Sequence, residues 1–187
     1  NFMIKKNKEF IVKYVREFNK LNYENLIQIN TFNKIIETLK KYKRKKKVHF
    51  FGNGGSASIA SHFSLDLSNN THIKCSNYND PMLITCFAND FNYENWISKV
   101  IEKNVEKGDC IILVSSSGRS KNMINAAKKA KRKGIKNVIT FTGFKKNNPL
   151  NKLGKFNIWI NSKKYNFVEN LHQFYLLMIV DILKKNN

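Results

Sequence analysis

Two short stretches carry residue types that could do chemistry on an anion. In Val48 to Asn69, VHFFGNGGSASIASHFSLDLSN, an apolar β run (Val48 to Phe51) enters the turn Gly52-Asn53-Gly54-Gly55. Ser56-Ala57-Ser58 then opens a helical pattern, with Ile59, Phe63 and Leu67 spaced four apart on one face. Strand, tight glycine turn and Ser-capped helix aim free backbone N–H groups and a positive helix end at a negative ligand. Glycine suits this turn because a residue without Cβ lets the backbone come close. Further along the helix, His62 and Asp66 stand four apart and so face the same way. The second stretch follows the apolar run CIILV (110–114) and reads Ser115-Ser116-Ser117-Gly118-Arg119-Ser120. Its backbone amides, its hydroxyls and Arg119 could enclose a phosphate. A plain Ser N-cap accounts for one serine, but four in six residues exceed what a cap needs.

The first turn also matches part of a dinucleotide fingerprint, Gly52-x-Gly54-x-x-Ala57. That reading requires an acidic residue about 20 positions on to hold a ribose. His72, Ile73 and Lys74 occupy that region instead, so no nucleotide cofactor is expected.

The elements that must position these loops follow from periodicity. Residues 4–19 carry a helical stripe (Ile4, Phe10, Ile11, Tyr14, Val15, Phe18), and a second helix is expected from Tyr23 to about Lys43. Its apolar surface is wide for a helix covered by one neighbour, which fits burial against another subunit or an ordinary core position. From Val48 the texture changes to alternating strands and helices. Strands are expected at 48–51, 82–87, 110–114, 137–141 and 156–160, and helices at 56–68, 93–103, 120–133 and 167–184. Short continuous apolar strands separated by helices indicate a parallel sheet covered on both faces. Ligands of such sheets bind beyond the carboxyl ends of the strands, where strand order reverses. The expectation is an α/β chain read as one domain over 1–187, with N-terminal helices at 4–45 and an α/β core at 46–187.

Composition narrows the class. The chain of 187 residues is 42% hydrophobic, which argues against disorder. No apolar run approaches the roughly 20 residues of a membrane span, so no membrane partner is expected. The stretch Asn1 to Glu9 is polar and carries no apolar signal core, from which a cytoplasmic protein is expected. Cys75, Cys86 and Cys110 are odd in number and lack metal spacing, and read as reduced thiols. The formal net charge of +21 is spread over the chain, with one dense cluster at Lys40 to Lys47. No nucleic-acid motif accompanies it, so the lysines read as solvated faces, and nucleic acid is not expected as a partner.

Taken together, GNGGSA followed by a helix with HFSLDL, then ANDFNYE (88–94), SSSGRS and TFTG (140–143) resembles the SIS sugar-isomerase domain. Within it, the chain is most similar to the bacterial phosphoheptose isomerase family and to the related SIS protein that associates with the replication initiator. The resemblance implies a three-layer sandwich with a five-stranded parallel flavodoxin-like sheet. It also implies a homotetramer with sites at subunit interfaces. Ser115, Ser116, Ser117 and Ser120 would hold a sugar phosphate, while Asn53, Gly54, Ser56 and Asp90 would contact the sugar. The reaction it implies interconverts sedoheptulose 7-phosphate and glycero-manno-heptose 7-phosphate. A base removes a proton alpha to the carbonyl, and an enediol forms. Some members bind zinc through the counterparts of His62, Asp66, Glu169 and a further histidine.

The chain departs from that pattern twice. Asp66 stands where the isomerase has Glu, one methylene longer. Leu177 stands where it has its main acid–base His. Glu169 and His172, three residues apart on the C-terminal helix, are then the candidates to join Asp66 in proton transfer. His49 and His72 read as structural. The competing expectation is a non-catalytic phosphosugar-binding SIS adaptor or regulator.

Overall fold

The computed structural model describes residues 2–42 and 46–185. The basic cluster therefore lies partly outside the described residues, at positions 43–45, as does the expected end of the second helix. Helix α1 (Phe2–Glu24) and α2 (Ile29–Leu39) are separated by a single 3-10 turn, Asn25–Gln28. That turn meets the open edge of the sheet. The Gln28 side chain accepts from Trp159 N–H at 2.9 Å and donates to Trp159 C=O at 2.8 Å, so it pairs backbone groups of an edge strand.

The sheet has five parallel strands in the order β2-β1-β3-β4-β5. They are β1 (Lys47–Gly52), β2 (Lys74–Asn77), β3 (Cys110–Ser115), β4 (Asn137–Thr142) and β5 (Phe156–Trp159). Side chains alternate between faces as the pleat requires. Val48, Phe50, Cys110, Ile112, Val114, Ile139 and Phe141 point into one core with α2, with α3 (Gly55–Asn70) and with α7 (Tyr165–Lys185). Phe51, Ile111, Leu113 and Val138 point into the other, with α5 (Trp96–Asn104) and α6 (Lys121–Arg132). These three layers are the flavodoxin-like arrangement, whose ligand crevice lies where the order turns between β1 and β3.

One strand was expected in the wrong place. Residues 82–87 belong to helix α4 (Pro81–Phe91), and the edge strand is Lys74–Asn77. The start of α4 is coded locally: Asp80 caps it by accepting from Leu83 N–H at 2.9 Å, and Pro81 occupies its first turn. Strand β2, KCSN, is polar because it is an edge strand with no buried residue, so a search for apolar runs passes over it.

His49 is structural. It is fully buried on β1, with Nδ1 3.0 Å from the Tyr78 hydroxyl and Nε2 3.0 Å from Asp109 Oδ2. Burial pushes the Asp109 carboxyl up, but bonds from Lys47 N–H, Glu106 N–H and His49 outweigh it and hold the group below the usual carboxylate range. All three cysteines are free thiols.

Candidate active site

The loops after β1 and β3 meet at the switch point. Gly52 ends β1 where α3 folds back closely, and a Cβ on it would stand 2.3 Å from the Ser56 carbonyl oxygen. That approach brings Ser56 across to the serine loop, where its Oγ lies 3.4 Å from Ser116 Oγ. Gly54 sits at the N-cap of α3, and its carbonyl accepts from Ala57 N–H at 2.9 Å and Ser58 N–H at 3.2 Å. The serine loop closes on itself through Gly118 N–H to Ser115 C=O at 3.1 Å. It is latched from the far side by Gly143 N–H to Ser116 C=O at 2.8 Å and Leu150 N–H to Gly118 C=O at 3.1 Å.

Between the loops lies a pocket of about 130 Å³. Asn53, Ser56, Ser115, Ser116, Ser117 and Ser120 line it, six of the residues expected to bind substrate. Glu169 also lines it, from the first turns of α7. Its Oε1 accepts from Ser116 Oγ at 3.2 Å, and its Oε2 would stand 2.6 Å from a Cβ on Gly55, beside the start of α3. A carboxylate therefore rests where hydroxyls and a helix N-terminus converge. Among the described residues, no Lys or Arg lines the pocket. Arg119 is exposed, with its backbone N–H donating to Ser117 Oγ at 3.3 Å. Tyr165 completes the lining and packs edge-on to Phe144 with ring centroids 4.8 Å apart. Sequence reasoning passed over Tyr165; its place at the start of the helix that carries Glu169 was the available signal.

Other expected site residues stand elsewhere. His62 Nε2 and Asp66 Oδ2 pair at 3.3 Å on a partly exposed face of α3, outside the pocket. Asp90 is on exposed α4, accepting from Asn89 Nδ2 at 3.1 Å and Cys86 Sγ at 3.7 Å. His172 does not reach the pocket. It is fully buried, its Nε2 lies 3.1 Å from the Thr142 carbonyl oxygen, and its ring packs edge-on to Phe141. Positions three apart on a helix differ in direction by roughly 60°, and on packed α7 that offset puts Glu169 in the pocket and His172 against the sheet. Burial pulls its pKa down to about 4, so it is a neutral core histidine.

His62 and Asp66 face each other, Glu169 stands at the other end of α3, and among the described residues no three His, Cys, Asp or Glu side chains are placed to hold a metal. Among the described residues, larger hollows of about 670 Å³ along α1, about 420 Å³ between α2 and α7 and about 330 Å³ beside Glu17, Lys164 and Phe167 lie away from both serine-bearing loops. No helix among the described residues is long and apolar enough to cross a membrane.

Comparison with known proteins bears on this geometry. A family model described as SIS domain matches residues 11–143, which include both loops. Phosphoheptose isomerase of Histophilus somni (strain 2336) is 39% identical over 107 residues, 54% of this chain and 54% of that protein. The match thus spans about half the length of such relatives. Among solved structures, phosphoheptose isomerase GmhA from Neisseria gonorrhoeae superposes with a TM-score of 0.87 at 21% identity, covering 95% of this chain and 98% of that one. A phosphoheptose isomerase from Francisella tularensis gives 0.87 at 18% identity, covering 96% and 98%. At these identities the structural likeness shows the fold.

Proposed function

The chain belongs to the SIS domain family, and from that premise we propose that it is a cytoplasmic phosphosugar aldose–ketose isomerase acting on sedoheptulose 7-phosphate. The observation that carries the reading is the serine-lined pocket at the switch point, closed on one side by Glu169. Neutral hydroxyls and the start of α3 suit a phosphate, whose oxygens accept several hydrogen bonds at once. The Ser116 hydroxyl donates to Glu169. On binding it turns its hydrogen to the phosphate.

The carbonyl of this substrate lies at the far end of the carbon chain from the phosphate. Asp66 lies on the same helix as Ser56, ten residues on, and is the base that takes the proton alpha to the carbonyl. Glu169 stays with the phosphate end. The subunits form a homotetramer, which the exposed apolar side chains Ile27, Met82 and Leu26 favour.

The test is turnover of sedoheptulose 7-phosphate by the purified protein, followed by NMR. Asp66→Asn should lower kcat by at least about 100-fold while leaving substrate binding in place. Loss of turnover in Glu169→Gln but not in Asp66→Asn would reverse the assignment of the base. A wild-type protein that binds the sugar phosphate without converting it would establish the second reading, a phosphosugar-binding module. That reading is favoured by Leu177 and by the placing of Asp66 outside the pocket.

A further inference from the structure

Asn53 lines the pocket, yet most of its amide is already engaged. Asn53 Nδ2 donates to Asn122 Oδ1 at 2.9 Å, and Asn122 Nδ2 donates to Asn53 Oδ1 at 2.9 Å. The Tyr93 hydroxyl donates to the same Asn53 Oδ1 at 3.2 Å. Taken alone, a reciprocal amide pair reads equally well with both groups flipped. Met123 breaks that symmetry. Its backbone N–H, 2.9 Å from Asn122, can only donate, so the Asn122 atom facing it is the oxygen. The Asn53 atom opposite that oxygen is then the nitrogen. The other Asn53 atom, which meets both Asn122 Nδ2 and the Tyr93 hydroxyl, is its oxygen.

Both lone pairs of Asn53 Oδ1 are taken, and one of the two Nδ2 hydrogens is taken. What remains for the pocket is a single N–H donor. We propose that Asn122, with Tyr93, is a positioning residue that locks Asn53 as a donor aimed at an anionic oxygen of the bound sugar phosphate, an inference that rests on the phosphosugar reading above. Donors fixed before the ligand arrives need no reorganisation to meet negative charge. Asn122 is itself immobilised, 2% exposed at the second position of α6. The segment bearing Tyr93 is braced against the same helix by Lys121 Nζ to Glu94 Oε1 at 2.8 Å and by Asn125 Nδ2 to Glu94 C=O at 3.0 Å. One helix start thereby sets the serine loop, the loop after β1 and the 92–95 segment in register.

The experiment observes the side-chain amide protons of Asn53 by NMR in the full chain, with sedoheptulose 7-phosphate and then inorganic phosphate as probes. The expected result is that one Asn53 Nδ2 proton moves on titration while its geminal partner, bonded to Asn122, holds its position. Asn122→Asp keeps an oxygen for Met123 N–H and suits a helix start. Its second carboxylate oxygen faces Asn53 Oδ1, however, which replaces a donor with an acceptor, breaks the reciprocal pair and leaves the Asn53 amide no longer held in one orientation. Binding should weaken about tenfold or more, whereas Tyr93→Phe, which leaves the amide pair intact, should weaken it by less than about threefold. Movement of both Asn53 protons, or wild-type affinity in Asn122→Asp, would overturn the proposal. If Asn122→Asp does not fold, the wild-type titration decides alone. Shifts in the backbone amides of 115–120 with a silent Asn53 overturn the positioning role only. No shift in either place overturns the phosphosugar reading and this inference with it.

Discussion

Gly118 is where fold stability and the candidate site depend on one atom. It stands in the serine loop with φ +62, and a Cβ on it would lie 2.0 Å from Oδ1 and 2.3 Å from Cγ of Asn148. Asn148 is 2% exposed and ties the connection after β4 together. Its Nδ2 donates to Lys145 C=O at 2.9 Å, Thr142 Oγ1 at 3.1 Å and Gly143 C=O at 3.3 Å, and its Oδ1 accepts from Asn151 N–H at 2.8 Å. Gly118→Ala therefore acts in two ways. A left-handed backbone at a residue with Cβ costs about 1–2 kcal/mol. Displacing Asn148 leaves buried polar groups unpaired, at about 1–3 kcal/mol. We expect a loss of about 3 kcal/mol in urea unfolding, together with weaker phosphate binding because Ser117 and Ser120 flank the altered turn. A double-mutant cycle separates the components. In an Asn148→Ala background the collision is gone, and Gly118→Ala should cost only about 1 kcal/mol. Equal costs in the two backgrounds would refute the collision, and a total loss under about 0.5 kcal/mol would refute both components.

The remaining predictions concern the two buried histidines and the exposed apolar faces. His172 titrates near 6.5 when unfolded but only near about 4 when folded, because burial penalises its charge. The unfolded chain thus binds the extra proton first as pH falls, and stability should drop by about 3 kcal/mol between pH 6.5 and 4. Urea unfolding across that window should show a shallower pH slope in His172→Gln, and identical slopes would contradict the argument. Asp109→Asn puts an amide among groups that all donate to the carboxylate, Lys47 N–H, Glu106 N–H and His49. It should cost about 1–3 kcal/mol, read as a lowered Tm, and an unchanged Tm would be the contrary result. Ile27 is 88% exposed on the 3-10 turn, and Ile27→Lys should reduce the mass measured by light scattering if this face joins subunits. A wild-type monomer, or an unaltered mass in the variant, would remove that role.

How much was legible depended on the range of the signal. The alternating texture from Val48 onward and the two loops were readable because strand, turn and helix start are local patterns, whereas Asn53 and Ser56 became site residues only through the family resemblance. Strand β2 was not readable, since an edge strand need not be apolar, and the apolar run 82–87 read as a strand although Asp80-Pro81 before it is a sound local helix start. His172 was misplaced for a different reason. Spacing from Glu169 gives a direction around α7, but only the packed helix says which side faces the sheet. Asn122 carried no special mark at all, because its importance is a contact with Asn53 across 69 residues.

By itself, the sequence determined a parallel sheet covered on both faces and two hydroxyl-rich loops fit for an anion. Periodicity and turn chemistry act within a few residues, and those features need nothing more. The tertiary structure decided which loops meet, which carboxylate shares their pocket and which way one amide points. Those outcomes hang on contacts between residues far apart in the chain, such as Ser116 with Glu169 and Asn53 with Asn122, and such contacts exist only once the layers have packed.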